Sequence, residues 1–181
     1  MNTYQDLIAR KRVSFTPRGF DPAPMPSSMF PHQAATTEFL LRAGCGAAFL
    51  DTGLGKSYVA LEWGRQVVER TNRPVLMLAP LAVGPQHERE AAKFGIDARY
   101  VREPSQMDGT PRVWITNYER LARFDAASFA GVVLDESSIL KSFTGATTRA
   151  LIETFAATPY RLACTATPAP NDHTELGTHA E

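Results

Sequence analysis

The stretch from Gly46 to Ser57 constrains the fold more than any other part of this sequence. It reads Gly-Ala-Ala-Phe-Leu-Asp-Thr-Gly-Leu-Gly-Lys-Ser, so a run of small and apolar residues stops at a turn carrying a lysine and a hydroxyl. This order predicts a buried strand, a loop and the start of a helix. Gly53 and Gly55 would let backbone N–H groups turn toward an anion such as phosphate. Lys56 would add a positive charge, and Ser57 could contact a magnesium ion at the helix start.

The loop departs from the general phosphate-loop pattern at one position. That pattern has a glycine five positions before Gly55, where this chain has Leu50. The loop alone therefore does not decide which class of nucleotide-binding protein this is, and the rest of the chain must.

Length and composition predict one globular domain. The chain has 181 residues, of which 44% are hydrophobic, and this is enough to bury the core of a single domain. Nineteen basic residues balance nineteen acidic ones, so the net charge gives no support for a nucleic-acid partner, and a basic groove would have to be argued locally. Cys45 and Cys164 lie far apart without a CxxC pair, which favours two buried thiols in a reducing compartment.

The sequence shows no sign of membrane insertion, export or a metal cluster. No uncharged run approaches the roughly 20 residues that a membrane helix needs, and charged residues occupy the N-terminus where a signal peptide would be apolar. A cytoplasmic protein is expected. The four histidines are scattered and lack the i, i+4 spacing of a helical metal pair, so they do not predict metal binding: they are His32, His87, His173 and His179.

The beginning of the chain predicts an extended lead-in over residues 1–28 and a domain over 29–181. The lead-in has a basic trio at 10–12 and prolines at 17, 22, 24 and 26, which disfavour helix. Residues 33–41 then favour a helix that ends at Gly44, with Ala34, Phe39 and Leu40 available for burial.

Strands and helices are predicted to alternate through the rest of the chain. After the glycine loop, Ala60, Trp63 and Val67 mark one apolar face of a helix. Short apolar runs that do not alternate with polar residues are typical of strands covered on both faces. The alternation implies a mostly parallel sheet with right-handed crossovers, an α/β fold. The predicted strands cover about 46–50, 75–79, 98–101, 113–116, 132–134 and 160–164, and the later helices about 57–69, 82–94 and 144–156.

Two carboxylates follow the apolar strand at 132–134. Asp135 and Glu136 would lie at the carboxyl edge of the sheet, where parallel α/β sheets bind ligands. Lys56 and Ser57 follow another strand end and would face the same edge. A magnesium-bound nucleoside triphosphate needs a hydroxyl and a carboxylate for the metal, here Ser57 and Asp135, and a second carboxylate, here Glu136, to polarise the attacking water.

Six segments in order resemble those of a known family. The resemblance covers about residues 28–178 and is to the first RecA-like lobe of superfamily 2 helicases of the DEAD/DEAH type, most closely the Swi/Snf-type translocases and their phage-encoded relatives. Residues 135–141 resemble the DEGH/DEAH-x-x-K stretch of that branch, and 167–171 resemble its GTPxxN. The six segments are Phe30-Pro-His-Gln33, Asp51-Thr-Gly-Leu-Gly-Lys-Ser57, Leu78-Ala-Pro-Leu81, Ile115-Thr-Asn-Tyr-Glu119, Leu134-Asp-Glu-Ser-Ser138 and Thr165-Ala-Thr-Pro168.

The resemblance implies a P-loop NTPase fold, RecA-like with three α/β/α layers, and assigns roles to individual residues. It implies ATP and Mg²⁺ as cofactors, with Asp135 and Glu136 serving metal and water. The helicase version of the loop does not require glycine at Leu50. Ser137 and Ser138 depart from the family pattern, which bears on coupling between lobes. The implied roles are adenine reading by Gln33, phosphate and metal binding by Thr52, Gly53, Leu54, Gly55, Lys56 and Ser57, nucleic-acid contact by Pro80, Leu81, Thr116 and Asn117, and coupling by Thr165 and Thr167.

The function implied is that of an ATP-dependent nucleic-acid helicase or translocase lobe. The expected nucleic acid is DNA, with RNA left open, and the expected state is a monomer in a bacterial or phage-infected cell. The family's second lobe, with its arginine fingers, has no counterpart before Glu181. Because such a finger contributes about a thousandfold or more to phosphoryl transfer, slow turnover by this lobe alone is expected. The alternatives are a P-loop kinase or transferase and a non-catalytic ATP-binding scaffold.

Overall fold

The structure, a computed structural model, describes residues 16–137 and 145–167. Several sequence-based expectations lie outside these ranges: the first half of the lead-in with its basic trio, the position of Ser138, the lysine of the 135–141 stretch, the end of the 167–171 stretch, and two of the four histidines. The residues concerned are Arg10, Lys11, Arg12, Ser138, Lys141, Pro168, Asn171, His173 and His179.

The described residues form six strands and four α-helices in the predicted alternation. The predicted elements are all present, and their ends differ from the observed ones by one or two residues in most cases. The strands are β1 (Cys45–Phe49), β2 (Val75–Ala79), β3 (Ala98–Tyr100), β4 (Val113–Asn117), β5 (Gly131–Asp135) and β6 (Tyr160–Thr165). The helices are α1 (Pro31–Ala43), α2 (Lys56–Thr71), α3 (Gly84–Lys93) and α4 (Gly145–Phe155).

All six strands pair in parallel, in the order β1-β6-β5-β2-β4-β3. One apolar cluster joins the sheet to α1, α2 and α3 on one face, and a second joins it to α4 on the other. The predicted three-layer α/β/α architecture is therefore confirmed. No helix within the described residues is long and apolar enough to cross a membrane.

Helix α2 packs its predicted face against the sheet. Ala60, Trp63 and Val67 are at most 1% exposed and belong to the larger apolar cluster. In α1 the prediction was wrong for Phe39, which is 64% exposed, whereas Leu40 is buried. The reason is geometric: adjacent helical positions are about 100° apart, so the face that buries Leu40 turns Phe39 outward.

The expectation that β1 is a buried strand was wrong for most of its residues. Strand β1 pairs with β6 alone in the part of the chain that the structure describes, and Ala48 is its one buried residue. Phe49 is 45% exposed. The same edge position explains why Cys45 is only half-buried, with its thiol 3.4 Å from the carbonyl oxygen of Pro159, whereas Cys164 is buried as expected.

The described half of the lead-in is tied to two helices. The backbone N–H groups of residues 18–20 donate to the carbonyls of residues 41–43, which satisfies the last turn of α1. A side chain at Gly19 would place its Cβ 1.8 Å from the carbonyl oxygen of Leu41, so only glycine permits this approach. Ala23 exchanges hydrogen bonds with the side chain of Gln66 on α2, at 2.8 and 3.3 Å.

Truncating one buried and one exposed aromatic side chain tests which of them contributes to the core. We expect Trp63→Ala to lower the free energy of unfolding by about 3–5 kcal/mol because it empties a buried site. Phe39→Ala, the matched control, should change it by less than about 0.5 kcal/mol because the ring is mostly in solvent. Urea unfolding followed by circular dichroism measures both, and equal losses for the two variants would contradict the packing described.

Candidate functional site

The glycine loop turns through two left-handed residues between β1 and α2. Gly53 has φ of 86° and Gly55 has φ of 79°, conformations that residues with a Cβ adopt only with strain. The N–H of Leu54 donates to the carbonyl of Asp51 at 3.2 Å, which closes the turn. The side chain of Asp51 accepts from the N–H of Thr52 at 2.6 Å. Residues 51–54 are exposed, so this loop is open to a ligand.

Lys56 folds back over the loop that precedes it. Its Nζ donates to the carbonyl oxygens of Leu50 and Asp51, at 2.8 and 3.2 Å. Lys56 is also the first residue of α2, with Ser57 beside it, so the ammonium and the hydroxyl lie where the helix dipole already favours an anion.

Gln33 supports the loop from α1. Its Oε1 accepts from the N–H of Phe30 at 3.0 Å, and its Nε2 donates to the carbonyl of Leu54 at 3.1 Å. A Cβ at Gly55 would lie 2.1 Å from that Nε2, so the contact requires glycine for space as well as for its backbone angle. Gln33 is buried, and both polar atoms of its amide are bonded within the chain.

Strand β6 brings the loop and the carboxylates to the same edge. Phe49, at the end of β1, pairs with Thr165, and Asp135, at the end of β5, pairs with Cys164. Burial raises the pKa of the Cys164 thiol well above its usual range, the carboxylates of Asp135 and Glu136 add to the rise, and Lys56 opposes it. The pairing register puts the last residues of β1, β6 and β5 side by side, so the groups that follow these strands meet at this edge.

Glu136 is held by Thr165, the last residue of β6. Its backbone is left-handed, with φ of 51°, a strained state for a residue with a long side chain. Thr165 Oγ1 donates to Glu136 Oε1 at 2.9 Å and accepts from the N–H of Thr167 at 3.1 Å. Glu136 and Thr165, which belong to two separate segments of the resemblance, are thus in direct contact.

Two side chains that no sequence motif indicated contact Asp135. His87 Nε2 lies 2.7 Å from Asp135 Oδ2, and the hydroxyl of Tyr118 donates to the carbonyl of Asp135 at 2.8 Å. Burial raises the pKa of the Tyr118 phenol well above its usual range, and the Asp135 carboxylate adds to the rise. His87 lies 48 residues from Asp135 along the chain, so no local motif could have predicted the pair.

The four residues predicted to contact nucleic acid differ in accessibility. Pro80 and Leu81 follow β2 at the same edge of the sheet, and Leu81 is 61% exposed. Thr116 and Asn117 end β4 and are buried, with Asn117 Oδ1 accepting from the hydroxyl of Tyr100 at 2.7 Å. In this arrangement the side chains of Thr116 and Asn117 are not open to a ligand, whereas Leu81 is.

The oxygen donors at this edge fit magnesium held with a nucleotide. Within the described residues no group of three or more His, Cys, Asp or Glu side chains could form a metal cage. Magnesium characteristically uses one or two carboxylates, substrate phosphates and water, and a hydroxyl is a further hard ligand. Asp135, buried at a strand end, and Ser57, at the start of α2, supply donors of that kind.

The fold is that of the RecA-like lobes found in helicases. No model of a protein family matches the sequence, and no curated protein matches it. Among solved structures, the chain is similar to the UvsW helicase from bacteriophage T4, with a TM-score of 0.69 and 11% identity over 98% of this chain and 65% of that one. The chain is also similar to a hypothetical ATP-dependent RNA helicase from Sulfolobus tokodaii, with a TM-score of 0.59 and 14% identity over 86% of this chain and 50% of that one.

A further structure of T4 UvsW gives a TM-score of 0.63 and 12% identity, over 91% of this chain and 34% of that one. The chain therefore spans less than two thirds of each of these solved structures. At such identities the similarity establishes the RecA-like fold, which agrees with the sequence-based expectation.

The two loop glycines are expected to differ in their tolerance of alanine. Gly53→Ala should cost about 1–2 kcal/mol, because alanine would be left-handed there while its Cβ meets no atom within 4 Å. Gly55→Ala should cost about 1 kcal/mol more, because its Cβ also displaces Gln33 from the carbonyl of Leu54. Urea unfolding measures both costs, and Gln33→Ala should abolish the difference between them. A difference that persists without Gln33 would contradict this account of the contact.

Proposed function

We propose that this chain is the ATP-binding lobe of an ATP-dependent nucleic-acid helicase or translocase. The observation that carries the proposal is the arrangement around β6. Lys56 and the glycine loop follow one neighbouring strand, Asp135 and Glu136 end the other, and Thr165 from β6 itself bonds to Glu136. This is the set of groups that binding and hydrolysis of a nucleoside triphosphate require.

Each side chain has a role in this proposal. The backbone of residues 52–55 and the ammonium of Lys56 would bind the phosphates, and Ser57 and Asp135 would hold magnesium. The metal would supply positive charge that neutralises the phosphate oxygens as the bond breaks. Glu136 would orient the attacking water and accept its proton. Its bond to Thr165 fixes the position of the carboxylate that this step needs.

One group must exchange partners when the nucleotide enters. Lys56 would give up the carbonyls of Leu50 and Asp51 for phosphate oxygens, a favourable exchange because hydrogen bonds between charged groups are the stronger ones. Gln33 bonds once through each polar atom of its amide, to Phe30 and to Leu54, and keeps a second N–H and a second oxygen lone pair that would be available to adenine. Adenine reading by Gln33 would thus take place next to the loop that binds the phosphates.

We further propose that this lobe contacts DNA and works against a second RecA-like lobe. Leu81, exposed beside Pro80 at the carboxyl edge, supports a nucleic-acid contact there. Thr165 bonds to Glu136 and accepts from the N–H of Thr167, and these two threonines would couple the state of the nucleotide to the movement of the lobes. Since arginine fingers would come from the second lobe, hydrolysis by the present chain should be slow.

Removing the loop lysine should weaken nucleotide binding selectively. We expect Lys56→Ala to weaken binding of a fluorescent ATP analogue with Mg²⁺ by about 10- to 100-fold, the value of a charge-assisted hydrogen bond. Lys93→Ala, at the exposed end of α3, is the matched control and should bind like the wild-type chain. Fluorescence anisotropy measures both affinities.

Equal affinities for the two lysine variants would contradict the proposal. In a protein that also contains the second lobe, Lys56→Ala should remove DNA-stimulated ATP hydrolysis. A phosphorylated small molecule among the products would instead favour a P-loop kinase or transferase.

A further inference from the structure

His87 occupies a buried position on α3 that nothing in the proposed reaction yet uses. Its imidazole is 3% exposed, and its Nε2 lies 2.7 Å from Oδ2 of Asp135. On the other side of the ring, Nδ1 lies 3.7 Å from a carboxylate oxygen of Glu90, one turn later on the same helix. The ring is therefore held by its hydrogen bond to Asp135, the proposed metal ligand, while Nδ1 has no hydrogen-bond partner among the described residues.

We propose that His87 is a positioning residue that orients the Asp135 carboxylate for magnesium, an inference that rests on the proposed function. An ionised carboxylate can only accept hydrogen bonds, so Nε2 is the donor in this pair. With Oδ2 held by the imidazole, Oδ1 is the oxygen left to face the metal. The single contact thus selects which oxygen of Asp135 serves the site.

The hydrogen bond between His87 and Asp135 is of a kind that strengthens metal binding by a carboxylate. Carboxylates that bind metals are commonly held by a further hydrogen bond, and loss of such a partner typically costs about 10- to 100-fold in metal affinity or activity. The pair is buried, where a hydrogen bond to a charged group is stronger than in water. Without it, the Asp135 carboxylate would lose the hydrogen bond that fixes its orientation, and metal binding would have to impose that orientation.

A second contact holds the backbone of Asp135, whereas His87 holds its carboxylate. The hydroxyl of Tyr118 donates to its backbone carbonyl, so the position of the main chain does not depend on His87. Replacing His87 therefore changes the orientation of the carboxylate and leaves the end of β5 in place. This separation makes the proposal testable by a variant that still folds.

The contact also connects the metal site to the segment after β2. Helix α3 begins at Gly84, three residues after the exposed Leu81, and carries His87 on its first turn. A Cβ at Gly84 would lie 2.5 Å from the ring of Tyr100, so the start of α3 is packed without spare room. A shift of this segment would therefore be passed to the Asp135 carboxylate through His87.

The test compares two replacements of similar size in the full 181-residue chain. His87→Leu fills the space without a donor, and His87→Gln restores an N–H near the position of Nε2. Binding of Mn²⁺ is measured by electron paramagnetic resonance in the presence of a non-hydrolysable ATP analogue. Binding of a fluorescent nucleotide in EDTA is measured separately, and circular dichroism checks the fold.

We expect His87→Leu to raise the Kd for Mn²⁺ about tenfold or more and His87→Gln to return it to within about threefold of wild type. Nucleotide binding in EDTA should be the same for all three proteins. Should His87→Leu fail to fold, His87→Asn takes its place, since its shorter amide does not reach Oδ2.

The outcomes separate this inference from the proposed function. If His87→Leu binds Mn²⁺ with wild-type affinity and still binds nucleotide, the role of His87 is overturned while the proposed function stands. Equal weakening in His87→Gln and His87→Leu would also overturn it, because the donor would then not be what matters. Failure of the wild-type chain to bind nucleotide both in EDTA and with Mg²⁺ would overturn the proposed function and this role with it.

Discussion

The proposed site depends on the parallel pairing of β6 with both of its neighbours. Because β1, β6 and β5 run in the same direction and in fixed register, their carboxyl ends lie at one level, and the groups that follow them meet. The loop with Lys56 follows one strand and Glu136 follows another. Cys164, buried on the strand between them, pairs with Ala48 on one side and with Asp135 on the other. An antiparallel partner at β6 would send one of these groups to the opposite edge.

The elements that the sequence predicted well have strong local causes. Strand β2 was predicted at its observed limits because an uninterrupted apolar run ends at Pro80, and α2 was predicted because its buried face repeats at helical spacing. The loop was recognisable because Gly53 and Gly55 adopt angles that few other residues accept. Asp135 and Glu136 could be placed at the correct edge because they come directly after a buried strand.

What the sequence could not predict depends on long-range packing. The exposure of β1 follows from its place at the end of the strand order, which the residues within the strand do not encode. Thr116 and Asn117 are buried by packing between distant parts of the chain, and Asn117 accepts a hydrogen bond from Tyr100, 17 residues away. His87 looked like a scattered histidine, and only the fold brings α3 to the end of β5. Contacts of this kind join residues that are distant along the chain, so a local sequence motif cannot predict them.

Nucleotide binding at the glycine loop can be tested directly by an amide-resolved NMR titration of the chain with a magnesium-bound, non-hydrolysable ATP analogue. Such a titration detects weak binding and assigns it to individual N–H groups. We expect the largest shifts at Gly53, Gly55, Lys56 and Ser57, with smaller ones at Asp135 and Glu136. Shifts confined to another part of the chain, or no shifts at millimolar analogue, would contradict binding at this loop.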